Sequence, residues 1–456
     1  MFFMKILTLS EHSRRIKNIN EAEKGNRSYF CRHRIRDYLP GQTTYNLGDY
    51  PASFSISPTD YDYEMLKSLS ENGVELIQVH EEWNDSLRHL GATKHTSHDP
   101  EGMKKFVDLC HNFGIKVIPY ASTGYISQYD PDFREEFTRG KFDLVISHFH
   151  YRMCYAGSGE WREYLLPKLQ NILDTYGFDG LYNDLGYDEN EIFEKKMFSE
   201  GKNPYELITY NYPYDPEIED FLSLIYSEVK SRGGVYKIHV GRNNTVNVKD
   251  KVYDYLWIGE NASSEGIGVG KDFPQYIVPC EHSEFSSEKN PDFFYARTIP
   301  FMQFPLLKRG RPLRGAGLSE DIKYNTTDGE HLFKLRVRDW AEKHPDGPHV
   351  YSLWSSIPDD TEEYARFCRY LALYKPMVEE NSLAYIELRE CDEILSSIPQ
   401  RVIASMFVNE EKYLVVSNLS EEDYTLDLKE AWEDRVTKER KNSFVIKPKE
   451  ILFLIK

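Results

Sequence analysis

From residue 60 to about 355 the chain alternates helical patterns with short apolar strands, and this alternation limits the fold more than any other feature. DYEMLKSLSENG (62–73) sets Met65, Leu66 and Leu69 on one face and stops at Asn-Gly, before the strand VELIQVHEEW (74–83). DPEGMKKFVDLCHNFG (99–114) opens with Asp99 as N-cap and Pro100 at the first helical position. It lines one face with Met103, Phe106, Val107, Cys110 and Phe113, closes at Gly114, and leads into the strand IKVIPYA (115–121). WREYLLPKLQNILDTYG (161–177) is predicted helical with a break at Pro167, and feeds the strand in GFDGLYNDLG (177–186). PEIEDFLSLIYSEVKSRGG (216–234) feeds VYKIHVG (235–241), and further strands are expected at YPASFSIS (50–57), YDYLWIGE (253–260), RTIPFMQFPLL (297–307) and HVYSLWSS (349–356).

Apolar strands alternating with helices imply a parallel sheet covered by helices. Eight such strands favour a closed (β/α)8 TIM barrel over an open doubly wound sheet. No G-x-G-x-x-G or Walker loop follows a strand, which counts against a nucleotide-binding fold. After the helix EEYARFCRYLALY (362–374), short alternating runs separated by polar turns predict a small antiparallel β-sandwich. The expected division is an N-terminal extension packing on the barrel (1–45), the barrel (46–378) and the C-terminal sandwich (379–456).

A net charge of −18 repels a phosphate backbone, so nucleic acid is not an expected partner. No apolar run is long enough to span a membrane, no signal-peptide pattern opens the chain, and the six cysteines lack C-x-x-C spacing. The expected location is cytoplasmic. Aromatics make up 14% of the chain, with 33 tyrosines, a composition suited to clefts that stack on sugar rings and bond their hydroxyls.

In a parallel barrel, chemistry gathers where strands end, because the loops there share one mouth. Asp184, behind Asn183, closes the strand of GFDGLYND. His80, Glu81, Glu82 and Trp83 follow another strand, Arg242 and Asn243 follow VYKIHVG, and Trp257 and Glu260 end YDYLWIGE. Carboxylates can protonate a leaving oxygen or attack an anomeric carbon, amides and arginine bind hydroxyls, and tryptophan stacks on a sugar face. Each residue alone also has an ordinary structural reading as a cap or ion-pair partner. HEEW and HTSHD (95–99) do not match H-E-x-x-H, and neither a metal nor a cofactor is predicted.

GVELIQVHEEW, GIKVIPYAS and GFDGLYNDLG, in that order, resemble the second, third and fourth barrel strands of α-galactosidase-like glycoside hydrolases. The resemblance implies a retaining mechanism on an α-glycoside or oligosaccharide, with Asp184 as nucleophile and Glu260 as acid and base. His80, Glu81, Glu82, Trp83, Asn183, Arg242, Asn243 and Trp257 would then bind substrate. The chain departs from that pattern where Glu81-Glu82 replaces an aspartate pair and Tyr182-Asn183 replaces a lysine, so the sugar stays open. GFDG strands also occur in amylase-like and polygalactosaminidase-like barrels. A non-catalytic carbohydrate-binding protein, an inverting hydrolase or a lyase on the same fold are the competing expectations.

Overall fold

The computed structural model describes residues 6–48, 55–84, 95–128, 130–138, 143–146, 149–185, 214–239, 248–258, 276–279, 290–311 and 361–456. Helix α1 (Leu9–Gly25) and strand β1 (Asn26–Arg34) come first. The barrel begins with β2 (Gln42–Asn46), α2 (Asp60–Glu71), β3 (Leu76–Val79), α3 (Pro100–Asn112) and β4 (Lys116–Ser122). A small antiparallel sheet of β5 (Tyr125–Ser127), β6 (Asp143–Ile146) and β7 (Phe149–Met153) then intervenes before α4 (Gly159–Tyr176). The barrel resumes with β8 (Gly180–Asp184), α5 (Pro216–Ser231), β9 (Val235–His239), β10 (Tyr255–Ile258), β11 (Tyr276–Pro279), α6 (Asp292–Thr298), β12 (Leu307–Gly310) and α7 (Thr361–Tyr374). Last come β13 (Leu383–Cys391), β14 (Val402–Val408), β15 (Lys412–Asn418), β16 (Tyr424–Asp434), β17 (Arg440–Ile446) and β18 (Ile451–Ile455).

Eight strands, ordered β11-β10-β9-β8-β4-β3-β2-β12, form a parallel sheet. The amide of Leu306, just before β12, donates to the Pro279 carbonyl at 2.7 Å and links the two ends of that order, closing the barrel. The sequence terminates its helices as expected. Asp99 caps α3, accepting from the Gly102 amide ahead of Pro100, and Thr59 and Asp62 form a reciprocal capping box on α2. Gly177 ends α4 in the left-handed conformation. Gly180 opens β8 at φ +145, where a Cβ would lie 1.8 Å from the Val235 carbonyl oxygen, so a glycine is required for β8 to approach β9.

Several expectations are corrected. Helix α4 runs through Pro167 unbroken, because Pro167 and Glu163 lie on the exposed face, where water can serve the carbonyl left without an amide. The first barrel strand is QTTYN, β2; of the expected strand at 50–57, residues 55–57 are not strand and the rest lies outside the described residues. The stretch 297–307 is mostly helical turn and loop, and β12 starts only at its end. Strand β11 was not anticipated, and 349–356 lies outside the described residues.

The C-terminal strands form a seven-stranded antiparallel sheet ordered β1-β13-β14-β15-β18-β16-β17. It doubles back as a sandwich: β16 pairs with β17 from Tyr424 and with β18 at Glu433 and Asp434, with a register shift between Asp427 and Trp432. The apolar filling includes Tyr385, Leu388, Met406, Leu414, Leu426, Trp432, Phe444 and Leu454. The N-terminal segment, expected on the barrel, contributes its strand to this sheet. β1 pairs with β13 from Asn26↔Cys391 to Arg34↔Leu383, Ala22 of α1 joins the apolar filling, and Arg15 pairs with Glu410 at 2.9 Å. No helix among the described residues is long and apolar enough to cross a membrane.

Candidate functional site

The amino-terminal end of the barrel is sealed. Tyr255 and Tyr276 open β10 and β11, and Tyr276 stacks on Tyr38 at 4.2 Å. The Tyr255 hydroxyl accepts from the Leu39 amide at 2.8 Å, and that of Tyr276 bonds both the amide and the carbonyl of Arg36 at 2.9 Å. Burial pushes the Tyr255 phenol well above its ordinary range, so it stays neutral. Chemistry is left to the opposite end, where the strands finish.

There the sequence brings an aromatic and charged set together. Tyr120 and Tyr182 face each other in register on β4 and β8, with ring centroids 5.8 Å apart. Tyr182 also meets Trp257 edge-on at 5.3 Å, and His80 lies 5.9 Å from Tyr182 and 6.2 Å from Trp257. His239 packs on Trp257 at 4.6 Å. Asp184, one pleat beyond Tyr182, stands above this floor with its side chain 20% exposed. Its Oδ2 accepts the Tyr120 hydroxyl at 2.8 Å, and its Oδ1 lies 3.8 Å from His239 Nδ1. Its carbonyl accepts from the amides of Thr123 and Gly124 at 3.0 and 3.2 Å, and Leu185 N–H donates to the His239 carbonyl at 2.9 Å. The carboxylate therefore projects from a strand end fixed on both sides.

Of the residues expected from sequence, Asp184, His80 and Trp257 converge at this mouth. Glu82 is buried in the short 3-10 turn Glu81–Trp83 that follows β3. Two residues turn away. Trp83 is fully buried, donates its Nε1 to the Tyr120 carbonyl at 2.8 Å, and packs on Tyr176 and Phe178 beneath the helix layer. Asn183 alternates to the opposite face from Asp184, accepting from Thr123 Oγ1 and donating to the Tyr236 hydroxyl, both at 2.6 Å. Neither is open to a substrate here. Glu260, Arg242 and Asn243 lie outside the described residues. Tyr120 and His239 enter the site instead. The signal for Tyr120 was parity, since it shares register and face with Tyr182 two positions before Asp184. Among the described residues no group of three or more His, Cys, Asp or Glu side chains is arranged to hold a metal ion.

No family model matches this chain, and no curated protein does. Solved structures do match. A maltogenic α-amylase of Thermotoga neapolitana aligns over 91% of this chain and 98% of its own, at 12% identity and a TM-score of 0.54. An α-amylase of Geobacillus thermoleovorans, complexed with acarbose, covers 92% and 99% at 10% identity and 0.53. A trehalose-6-phosphate hydrolase of Bacillus licheniformis covers 92% and 99% at 11% identity and 0.51. At such identities the likeness is one of fold, a TIM barrel with a C-terminal β-domain, as in the α-amylase family. The α-galactosidase-like superfamily is not supported. The glycines that lead those strands, Gly73, Gly114 and Gly177, follow helix ends at positive φ, a feature of βα connections in general, and so mark the architecture more than one superfamily.

Proposed function

We infer that this chain is a glycoside hydrolase that cleaves an O-glycosidic bond of an oligosaccharide or glycoside with retention, and that it is an α-glycosidase. The observation that carries the reading is the setting of Asp184: a carboxylate at the carboxyl end of the fourth barrel strand, partly open, oriented by a tyrosine hydroxyl over a floor of Tyr182, His80 and Trp257. Such a carboxylate can attack an anomeric carbon, and the buried rings beneath it hold its strand end in place. Glu260, two residues past β10, is the acid that protonates the leaving oxygen and then the base that activates water. Glu81, Arg242 and Asn243 are the further candidates for binding substrate hydroxyls. The fold shared with proteins described as α-amylases and as a trehalose-6-phosphate hydrolase supports an α-linked substrate. The free thiols of Cys110, Cys368 and Cys391 suit a reducing compartment such as the cytoplasm.

The test is a panel of 4-nitrophenyl α-glycosides together with α-glucosyl fluoride, assayed against the intact chain and Asp184→Ala, with NMR of the first-formed sugar. Turnover that requires Asp184 and releases the α anomer is expected. A first product of inverted configuration makes Asp184 a base. Binding of malto-oligosaccharides without any turnover makes the protein a carbohydrate-binding barrel.

A further inference from the structure

The placement of Tyr120 assigns it work beyond contact with Asp184. Its hydroxyl meets Asp184 Oδ2 at 2.8 Å, and the ring is buried against Tyr182. Its own carbonyl is held by the Trp83 indole at 2.8 Å. The two strands are locked in register through Tyr120↔Tyr182 and Ser122↔Asp184, and the amides of Thr123 and Gly124 tie the end of β4 to the Asp184 carbonyl. The separation between hydroxyl and carboxylate is thus set by the barrel itself and not by a loop.

We propose that Tyr120 is a positioning residue that acts through Asp184 and sets the rate at which the glycosyl ester on Asp184 breaks down; this rests on the glycosidase reading above. In the first step a carboxylate lone pair forms a bond to the anomeric carbon. The glycosidic C–O bond breaks with its electron pair going to the leaving oxygen, which takes the proton of Glu260. In the second step water attacks the anomeric carbon and gives a proton to Glu260, and the ester C–O bond breaks with its pair returning to Asp184. Negative charge leaves Asp184 in the first step and returns in the second. A hydrogen bond to the ionised carboxylate is stronger than one to the ester, so the Tyr120 hydroxyl favours departure of Asp184. In the first step its loss has opposing effects, since the carboxylate is less well oriented but more electron-rich.

The experiment compares the full chain with Tyr120→Phe, which keeps the ring and removes the hydroxyl. With α-glucosyl fluoride, whose leaving group needs little protonation, kcat should fall by about tenfold to a hundredfold, the worth of one charge-assisted hydrogen bond. KM should fall by a similar factor, leaving kcat/KM within about threefold of the unaltered chain, because the ester accumulates. Intact-protein mass spectrometry at steady state should then show a hexosyl adduct that Asp184→Ala cannot form. The melting temperature should move by less than about 3 °C. Wild-type kcat and KM in Tyr120→Phe would overturn the proposal, as would kcat falling with KM unchanged, or a kinetic loss matched by a loss of folded protein. If the unaltered chain turns over no α-glycoside, the glycosidase reading fails and takes this one with it. A normal unaltered enzyme with an unperturbed Tyr120→Phe sinks this proposal alone.

Discussion

The closed barrel and the open C-terminal sandwich are both β-structures, but they fill their interiors differently. Between its sheets the sandwich holds Leu388, Val402, Met406, Leu414, Leu426, Trp432 and Phe444, and many of its buried polar groups, such as Asn409, Lys412, Asn418 and Asp434, sit at strand ends and turns. The barrel buries Gln78, His80, Lys237 and His239 on the strands themselves or directly after them. Burying polar groups costs stability unless each finds a partner. The sandwich interior is left apolar, whereas the barrel carries polar side chains on the strands that lead to its mouth.

Mutations can break this comparison. The largest effect is expected for Asp184→Ala, which should lower turnover of any accepted glycoside by about 10^4-fold or more with the melting temperature nearly unchanged, as kinetics and calorimetry would report. Arg311→Met reverses that pattern. Arg311 bonds the fully buried Asp62 at 2.8 Å and the carbonyls of Leu47, Ser55, Ile56 and Ser57 beside the barrel mouth. Removing it strands a buried carboxylate and should cost about 3–5 kcal/mol in denaturant unfolding. Burial raises the Asp62 pKa, but the bonds and charge of Arg311 outweigh it and leave the value below its ordinary 3.8. A depressed folded value means the contribution is full above pH 3.8 and is lost as pH falls through the lower folded value, so the difference between Arg311→Met and the parent should shrink in acid.

Trp432→Ala should cost about 3–5 kcal/mol by emptying a fully buried site in the sandwich, while specific activity per folded molecule stays unchanged. Equal losses of activity and stability there would show that the two regions are not separable. Trp83→Phe sharpens the comparison within the barrel. It should lose about 1–2 kcal/mol from the indole bond to Tyr120, with KM unchanged, whereas a sugar-stacking tryptophan would raise KM. The smallest effect belongs to His111, on α3, whose hydrogen bond to Asp179 at 2.7 Å raises its pKa above the ordinary 6.5 against the effect of burial. A raised value stabilises fully below pH 6.5 and is lost as pH climbs through the folded value. The melting temperature of His111→Gln should therefore trail the parent in mild acid and converge with it in base.

What could be read from sequence divides along the same line. Strands rich in apolar residues, such as β3, β4 and β9, were legible from hydrophobic runs. β2 was not, because QTTYN is polar where it lines the barrel and hydropathy does not mark it. β11 is as short as β3, but no helical pattern precedes it in NASSEGIGVGKDFPQ to mark a βα unit. Asp184 was legible because a strand ended on it. Trp83 was misplaced because the 3-10 turn after β3 rotates the indole away from the mouth, a change of direction that alternation along a strand does not foresee. The pairing of β1 with β13 was invisible, since NRSYFCRHR, rich in charge, does not read as a strand and the bond between them spans most of the chain.

That pairing also has a consequence for how the protein is made. On the ribosome β1 emerges ahead of the barrel, and its partner follows only after the whole barrel has been translated, a wait on the order of tens of seconds at ordinary elongation rates. Throughout that interval NRSYFCRHR presents an unsatisfied strand edge, which is a template for mispairing between nascent chains. Its three arginines and one histidine supply mutual repulsion between copies, so the segment carries its own protection until β13 arrives.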